Sequence, residues 1–229
     1  MIDILPSIEI ETAAQPTHAV IWLHGLGASG EDFVPVVEGL GLPKSMAVRF
    51  VFPQAPDRPV TVNAGYVMPA WYDILSLSEV GREIDMQGVL TSQQQINHLI
   101  QREIGRGIPS HQIVIAGFSQ GGAMAYSVGL SYPERLAGIM ALSAYIPALD
   151  WLEQNRQVAN QAVPVLINHG TQDNVVPLQL GRQAASWLQA RGYTVWWREY
   201  AMAHQLCVPQ IRQIGVWLRE VLQAEHGKF

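Results

Sequence analysis

Residues 113–121 read Ile113-Val114-Ile115-Ala116-Gly117-Phe118-Ser119-Gln120-Gly121. An apolar run feeds directly into G-x-S-x-G, the pattern of a strand that turns sharply into a helix with serine at the apex. The apex backbone of such a turn is strained, and the flanking glycines let neighbouring chain approach where a Cβ would clash. Two glycines and a serine are common by chance, so the context carries the reading. Ile113 to Ala116 suits a buried parallel strand, and Gly122-Ala123-Met124-Ala125-Tyr126-Ser127-Val128 is small and apolar enough to pack a helix on a sheet. Ser119 is therefore the candidate nucleophile; a Gly-rich turn carrying an idle serine is the plainer alternative.

Outward from this stretch, apolar runs alternate with helical periods. Ala19 to Leu23, Val48 to Phe52, Gly138 to Leu142 and Val163 to Ile167 read as buried strands. Tyr193 to Tyr200 reads as an outer strand, and Ser7 to Glu11 alternates as an edge strand does. Ile96, Leu99, Ile100 and Ile104 share one helical face that Gly105, Gly107 and Pro109 end. Pro177 suits the first turn of a helix, and Gly192 suits the position just after one. Ile211, Ile214, Leu218, Val221 and Leu222 form the apolar face of a last helix. The alternation predicts an α/β fold, a mainly parallel sheet with helices on both faces, as a single domain over residues 1–229. About 20 residues separate Leu142 from Val163, too few for a separate cap domain. Residues 53–86, rich in proline and glycine, read instead as a long irregular loop. Its cluster Tyr66-Val67-Met68-Pro69-Ala70-Trp71-Tyr72 is either the wall of an apolar pocket or part of a surface loop tucked onto the core or into a dimer contact, which leaves a homodimer as one option.

The bulk properties exclude several classes. Only 14% of the 229 residues are charged and 48% are hydrophobic, which describes a globular chain with a core rather than a disordered one. A net charge of −5 without a basic cluster argues against nucleic acid or anionic lipid as partner. No apolar run nears the ~20 residues of a membrane span, so no stable membrane insertion is expected. Cys207 is the one cysteine, and no Lys or Arg precedes Lys44, so the expected compartment is the cytoplasm. No H-E-x-x-H, C-x-x-C or tight His/Asp cluster occurs; neither metal nor cofactor is expected.

A serine hydroxyl needs a neutral imidazole to take its proton and a carboxylate to orient that imidazole. In a hydrolase sheet these come in the order serine, acid, histidine. That order removes His18, His24, His98 and His111. His226 sits in a polar tail, and His169 shares a short loop with the acid Asp173. His204, between the Tyr193–Tyr200 strand and the last helix, is the candidate base. Asp173 is the candidate acid, with Asp150 and Glu153 one strand too early and an Asx-turn role as the plainer reading. The oxyanion hole needs two backbone N–H groups. Gln120, after the serine, offers one, and the loop His24-Gly25-Leu26-Gly27-Ala28-Ser29-Gly30 directs the Leu26 N–H as the other. Residues 25–30 also spell G-x-G-x-x-G, the dinucleotide fingerprint. No acid stands about 20 residues on to hold a ribose, and Arg49 lies inside a strand rather than beyond it.

Leu23-His24-Gly25-Leu26-Gly27, Phe52-Pro53-Gln54-Ala55-Pro56, Met68-Pro69-Ala70-Trp71-Tyr72-Asp73-Ile74, Gly117 to Gly122, and His169-Gly170-Thr171-Gln172-Asp173 with Val176-Pro177 occur in that order. With these motifs the chain, from about Thr17 to Val221, resembles the acyl-protein thioesterase and small bacterial carboxylesterase (phospholipase/carboxylesterase) family. The resemblance implies an α/β-hydrolase fold with Ser119, Asp173 and His204 as triad and Leu26 and Gln120 as oxyanion donors. It also implies a substrate-binding border around Trp71, Ile74 and Leu75, acting on a small acyl ester or acylated thiol. Ala28 stands where the family often has an acid. Ala203-His204-Gln205-Leu206-Cys207 replaces its usual Gly-His pair with a later Val-Cys. Short-to-medium acyl esters or thioesters are the expected substrates. A catalytically silent hydrolase fold that binds an apolar ligand or partner, or a remote dinucleotide-dependent oxidoreductase, are the competing expectations.

Overall fold

The strand that carries the elbow, β8 (Ile113–Phe118), runs through the middle of a seven-stranded sheet. The computed structural model describes residues 4–78 and 81–223 of the chain. From edge to edge the sheet holds β1 (Ser7–Glu11), β3 (Val48–Pro53), β2 (His18–Leu23), β8, β9 (Gly138–Leu142), β10 (Val165–Gly170) and β11 (Val195–Tyr200). β1 pairs antiparallel with β3, and every other pair in this sheet is parallel. The alternating segment Ser7–Glu11 is thus the edge strand its pattern predicted.

Strand periodicity divides the core in two. Along β2, Ala19, Ile21 and Leu23 face one layer, and Val20 and Trp22 face the other. Along β8, Ile113 and Ile115 join the first layer, Val114 and Ala116 the second. The first layer is covered by α2 (Met86–Gly105), α3 (Gln120–Ser131), α4 (Leu149–Asn155) and α5 (Leu178–Gln189). The second is covered by the single-turn α1 (Val36–Gly39) and by α6 (Val208–Gln223), whose Ile214, Leu218, Val221 and Leu222 are buried. A continuous apolar run without polar alternation is what burial on both faces requires of a parallel strand.

Two boundaries differ from the sequence pattern. The strand read at Val163 begins at Val165, because Pro164 has no N–H for the ladder and only its carbonyl is used, by Ile139 N–H at 3.0 Å. The strand then continues through His169 to Gly170. The strand read from Tyr193 begins at Val195. The connection from β9 to β10 holds only α4 and one 3₁₀ turn, so no cap domain sits there.

Residues 53–86 are not the irregular loop that the prolines and glycines suggest. They form two hairpins, β4 (Asp57–Val60) with β5 (Tyr66–Pro69) and β6 (Ile74–Ser78) with β7 (Gly81–Ile84). Strands of four or five residues are too short for an alternating pattern to stand out, and Pro59 and Pro69 are tolerated because each small sheet is all edge. Ala64 and Gly65 reverse the chain with φ of 55° and 76°. Trp71 and Tyr72 are fully buried, as a segment tucked onto the core requires, and the exposed apolar side chains of the cluster are Tyr66 and Val67. His226 lies outside the described residues.

Candidate functional site

The elbow is held open by missing side chains. A Cβ on Gly117 would lie 2.1 Å from the Gly121 carbonyl oxygen, and one on Gly121 would lie 2.2 Å from that of Leu23. No real Cβ tolerates such contacts, so both glycines are needed for α3 to start directly above the end of β2 and β8. Ser119 takes φ 56° and ψ −119°, a conformation that costs a non-glycine residue on the order of 1–3 kcal/mol. Its N–H donates to the Leu142 carbonyl at 2.9 Å, which pins the strained residue to the neighbouring strand.

Ser119, His204 and Asp173 come from three separate loops and meet in a line. Ser119 Oγ lies 2.9 Å from His204 Nε2, and His204 Nδ1 lies 2.7 Å from Asp173 Oδ2. Asp173 Oδ1 accepts the Val175 and Val176 N–H groups at 2.9 and 2.8 Å. Burial alone would raise the Asp173 carboxyl, but the hydrogen bonds from His204 and the two backbone amides outweigh it and hold the pKa below its ordinary value. An ionised Asp173 accepts only, so Nδ1 of His204 carries the hydrogen and Nε2 presents a lone pair to the serine hydroxyl. The ring of Phe118 packs on that imidazole at 4.7 Å between centres.

His169 serves this arrangement from behind. It is fully buried, and its Nε2–H donates to the Val176 carbonyl at 2.8 Å, which tightens the turn that presents Asp173. His169 Nε2 is 3.6 Å from Asp173 Oδ2, well beyond the 2.7 Å of His204. Burial pushes the His169 pKa down despite that bond and the carboxylate nearby.

The glycine loop shows how the second N–H is aimed. His24 Nε2 accepts the Ala55 N–H at 3.0 Å, so its hydrogen sits on Nδ1, which donates to the Gly25 carbonyl at 2.7 Å. That carbonyl and the Leu26 N–H are opposite ends of one planar peptide, so fixing the first turns the second the other way. Among the described residues the Leu26 N–H has no hydrogen-bond partner, and Gln120, as first residue of α3, has no carbonyl one turn back. Both residues line the cleft of about 370 Å³ that contains Ser119 and His204. Gly30, the last glycine of the dinucleotide pattern, is needed for packing instead: its Cβ would fall 2.6 Å from the Phe52 carbonyl oxygen. It opens a four-residue 3₁₀ turn, Gly30–Phe33, rather than a helix able to hold a pyrophosphate.

Of the three residues expected to border the substrate, Ile74 lines the cleft, together with Val62, Leu77 and Val175. Trp71 and Leu75 do not. Trp71 is completely buried beneath the glycine loop, where its indole N–H donates to the His24 carbonyl at 2.8 Å. Leu75 is exposed and, on a strand, points away from the side that Ile74 faces. The Gln120 side chain, beyond the backbone role expected of it, clamps the same segment. Its oxygen accepts the Trp71 N–H and its nitrogen donates to the Tyr72 carbonyl, both at 2.8 Å. Nothing in the spacing of Gln120 and Trp71 signals this pairing. Arg82, Tyr145 and Asp32 also line the cleft, and no sequence pattern singles them out. Among the described residues no group of three metal-ligating side chains is assembled.

Comparison with known proteins agrees with this architecture. Residues 6–222 match the family model described as phospholipase/carboxylesterase. The chain is 35% identical over 219 residues to acyl-protein thioesterase 1 of Yarrowia lipolytica, covering 94% of this chain and 96% of that one. It is 40% identical over 184 residues to acyl-protein thioesterase 1 of Schizosaccharomyces pombe, covering 80% and 81%. Among solved structures, Arabidopsis thaliana SOBER1 superposes with a TM-score of 0.85 at 31% identity, over 90% of this chain and 99% of that one. With a matched span that takes in the elbow, the acid loop and the histidine loop alike, the chain belongs to the phospholipase/carboxylesterase family of α/β-hydrolases.

Proposed function

We propose that the protein is a serine carboxylesterase or thioesterase, acting as one domain on short-to-medium acyl esters or thioesters through a Ser119–His204–Asp173 triad. The observation that carries this reading is the hydrogen-bonded line from Ser119 Oγ through His204 to Asp173, at 2.9 and 2.7 Å. The curated relatives named acyl-protein thioesterase support the bond type. The lone, half-buried Cys207 suits a reducing cytoplasm.

In this mechanism His204 Nε2 takes the Ser119 proton as Oγ bonds to the ester or thioester carbonyl carbon. The carbonyl oxygen gains charge and is held by the Leu26 and Gln120 N–H groups. His204 then gives its proton to the departing alcohol or thiol as the carbon–oxygen or carbon–sulfur bond breaks. Water repeats the sequence on the acyl-serine, and the acid leaves. Asp173 stays ionised throughout and stabilises the imidazolium.

A panel of oxygen esters and thioesters of graded chain length, run on wild type and Ser119→Ala, tests the reading. Ser119→Ala is expected to lose on the order of 10⁴ or more in kcat and to lose labelling by a fluorophosphonate. Full activity in that variant would remove Ser119 from the mechanism. An unlabelled, inactive wild type would leave a binding protein on a hydrolase fold.

A further inference from the structure

Arg82, on β7, is the one described cation in the wall of the cleft besides the histidine, and it is only partly buried. Among the described residues it makes no ion pair. Its guanidinium lies 4.8 Å from the centre of the Tyr145 ring, and Nη2–H donates to the Val175 carbonyl at 2.5 Å. Among the described residues, those contacts leave most of its five N–H donors without a protein acceptor. Other arginines of the chain are paired with carboxylates. Arg49, for example, is closed on Glu11 and Glu103 at 2.9 and 2.6 Å.

A second donor stands beside it. Tyr145 Oη and Tyr72 Oη are 2.7 Å apart, and neither hydroxyl has another partner among the described residues. Two hydroxyls that share one hydrogen bond use one of their two protons. Tyr72 is fully buried, whereas Tyr145, itself largely buried, lines the cleft; with Tyr72 as donor, the Tyr145 O–H keeps its proton for a ligand. Arg82 and Tyr145 also line a neighbouring cavity of about 630 Å³, walled by Met86, Leu90, Trp151 and Leu180. The Arg82 side chain therefore borders both cavities. Asp32 is the carboxylate in the same wall, but its Oδ2 is engaged by the Ser29 N–H at 2.8 Å.

We infer that Arg82 and Tyr145 form an anion-binding subsite beside Ser119, and that the preferred esters or thioesters carry a carboxylate. The inference rests on the reading of Ser119 as the nucleophile. A guanidinium in a largely apolar cleft recognises a carboxylate by charge-assisted, bidentate hydrogen bonds, and a hydroxyl adds a third donor. The carboxylate belongs either to the acyl group, as in a half-ester of a short dicarboxylic acid, or to the leaving alcohol.

The test compares each carboxylate ester with its carboxamide, which keeps the shape and removes the charge. One arm places the pair on the acyl side and the other on the leaving group. In at least one arm wild type should favour the carboxylate by about tenfold or more in kcat/KM. Arg82→Gln should bring that ratio to within about twofold of unity, while retaining an amide to donate to the Val175 carbonyl. Because the ratio is taken within each variant, a general loss from a disturbed β6–β7 hairpin cancels. Tyr145→Phe should lower the ratio several-fold, and Arg82→Lys should leave an intermediate value, since the charge remains and the fork is lost. Raising salt from about 0.05 to about 0.5 M should narrow the wild-type preference. Carboxamides accepted as well as carboxylates in both arms, or a preference that survives Arg82→Gln, would overturn the subsite while leaving the triad reading intact. Failure of wild type on neutral esters as well would instead count against the nucleophile.

Discussion

At the scale of single residues, the geometry separates side chains that line the cleft from those that aim their neighbours into it. His24 belongs to the second group. It holds the Gly25 carbonyl at 2.7 Å and so fixes the opposite end of the same peptide, the Leu26 N–H. In His24→Ala the loop loses that constraint and also the acceptor for the Ala55 N–H. The expected result is a fall in kcat of about 10- to 100-fold with KM little changed, below the ~10²–10³ for outright loss of an oxyanion donor. Steady-state kinetics on a neutral ester, with circular dichroism to check folding, measure it. A rise in KM at constant kcat would assign His24 to ground-state binding instead. That Ser119, Asp173 and His204 would meet was legible because chemistry restricts which side chains can serve together and chain order restricts which loops can bring them. In the sequence, His24 was only excluded as a base by chain order, because the value of its bond lies in a peptide orientation that no residue type announces.

At the scale of elements, the central strands were legible for a physical reason. Apart from His18 at the start of β2, the residues of β2, β8 and β9 are apolar, as burial on both faces requires, and stand out from their surroundings. The hairpins β4–β5 and β6–β7 were hidden by the same logic reversed. They are short and partly exposed, and their turn residues dominate the local composition. Arg49 illustrates a third kind of case. Its charge at the second residue of β3 looks anomalous along the chain, yet Glu11 from β1 and the fully buried Glu103 from α2 converge on it. Such a contact spans 54 residues between Arg49 and Glu103, and sequence pattern carries no trace of it. Trp71 was misplaced for a related reason. A large aromatic in a Pro-rich stretch reads as a pocket wall, whereas here its indole N–H finds the His24 carbonyl and draws the whole side chain under the site.

For the molecule as a whole, the buried histidines set how stability depends on pH. His24 and His169 both have pKa values lowered from 6.5, first by burial, with their backbone bonds and nearby carboxylates opposing it. Below about pH 6.5 the unfolded chain takes up protons at these positions that the folded chain resists, so stability falls with pH there and is unaffected by them above it. Asp173, whose folded pKa is lowered from 3.8, keeps its contribution through this range and loses it only at more acidic pH. Urea midpoints at constant ionic strength should be level from about pH 8 to 7 and decline steadily from about pH 6.5 to 5. A level profile down to about pH 5 would show that neither histidine is held neutral by the fold.

The backbone of Ser119 has a further consequence, for endurance rather than turnover. The residue at φ 56° and ψ −119° occupies a region comfortable only for glycine, and β8 and α3 on either side of it hold it there. Putting glycine at the apex relieves that tension, set against the greater freedom glycine gains in the unfolded chain, for a net gain of about 1 kcal/mol. For a chain of this size that is worth about 2–4 °C in Tm. Ser119→Gly should therefore melt later than wild type, and Ser119→Ala, which keeps the tension, should not. The inactive glycine variant would outlast the working enzyme, which is what is expected where selection has traded robustness for a reactive group held in place.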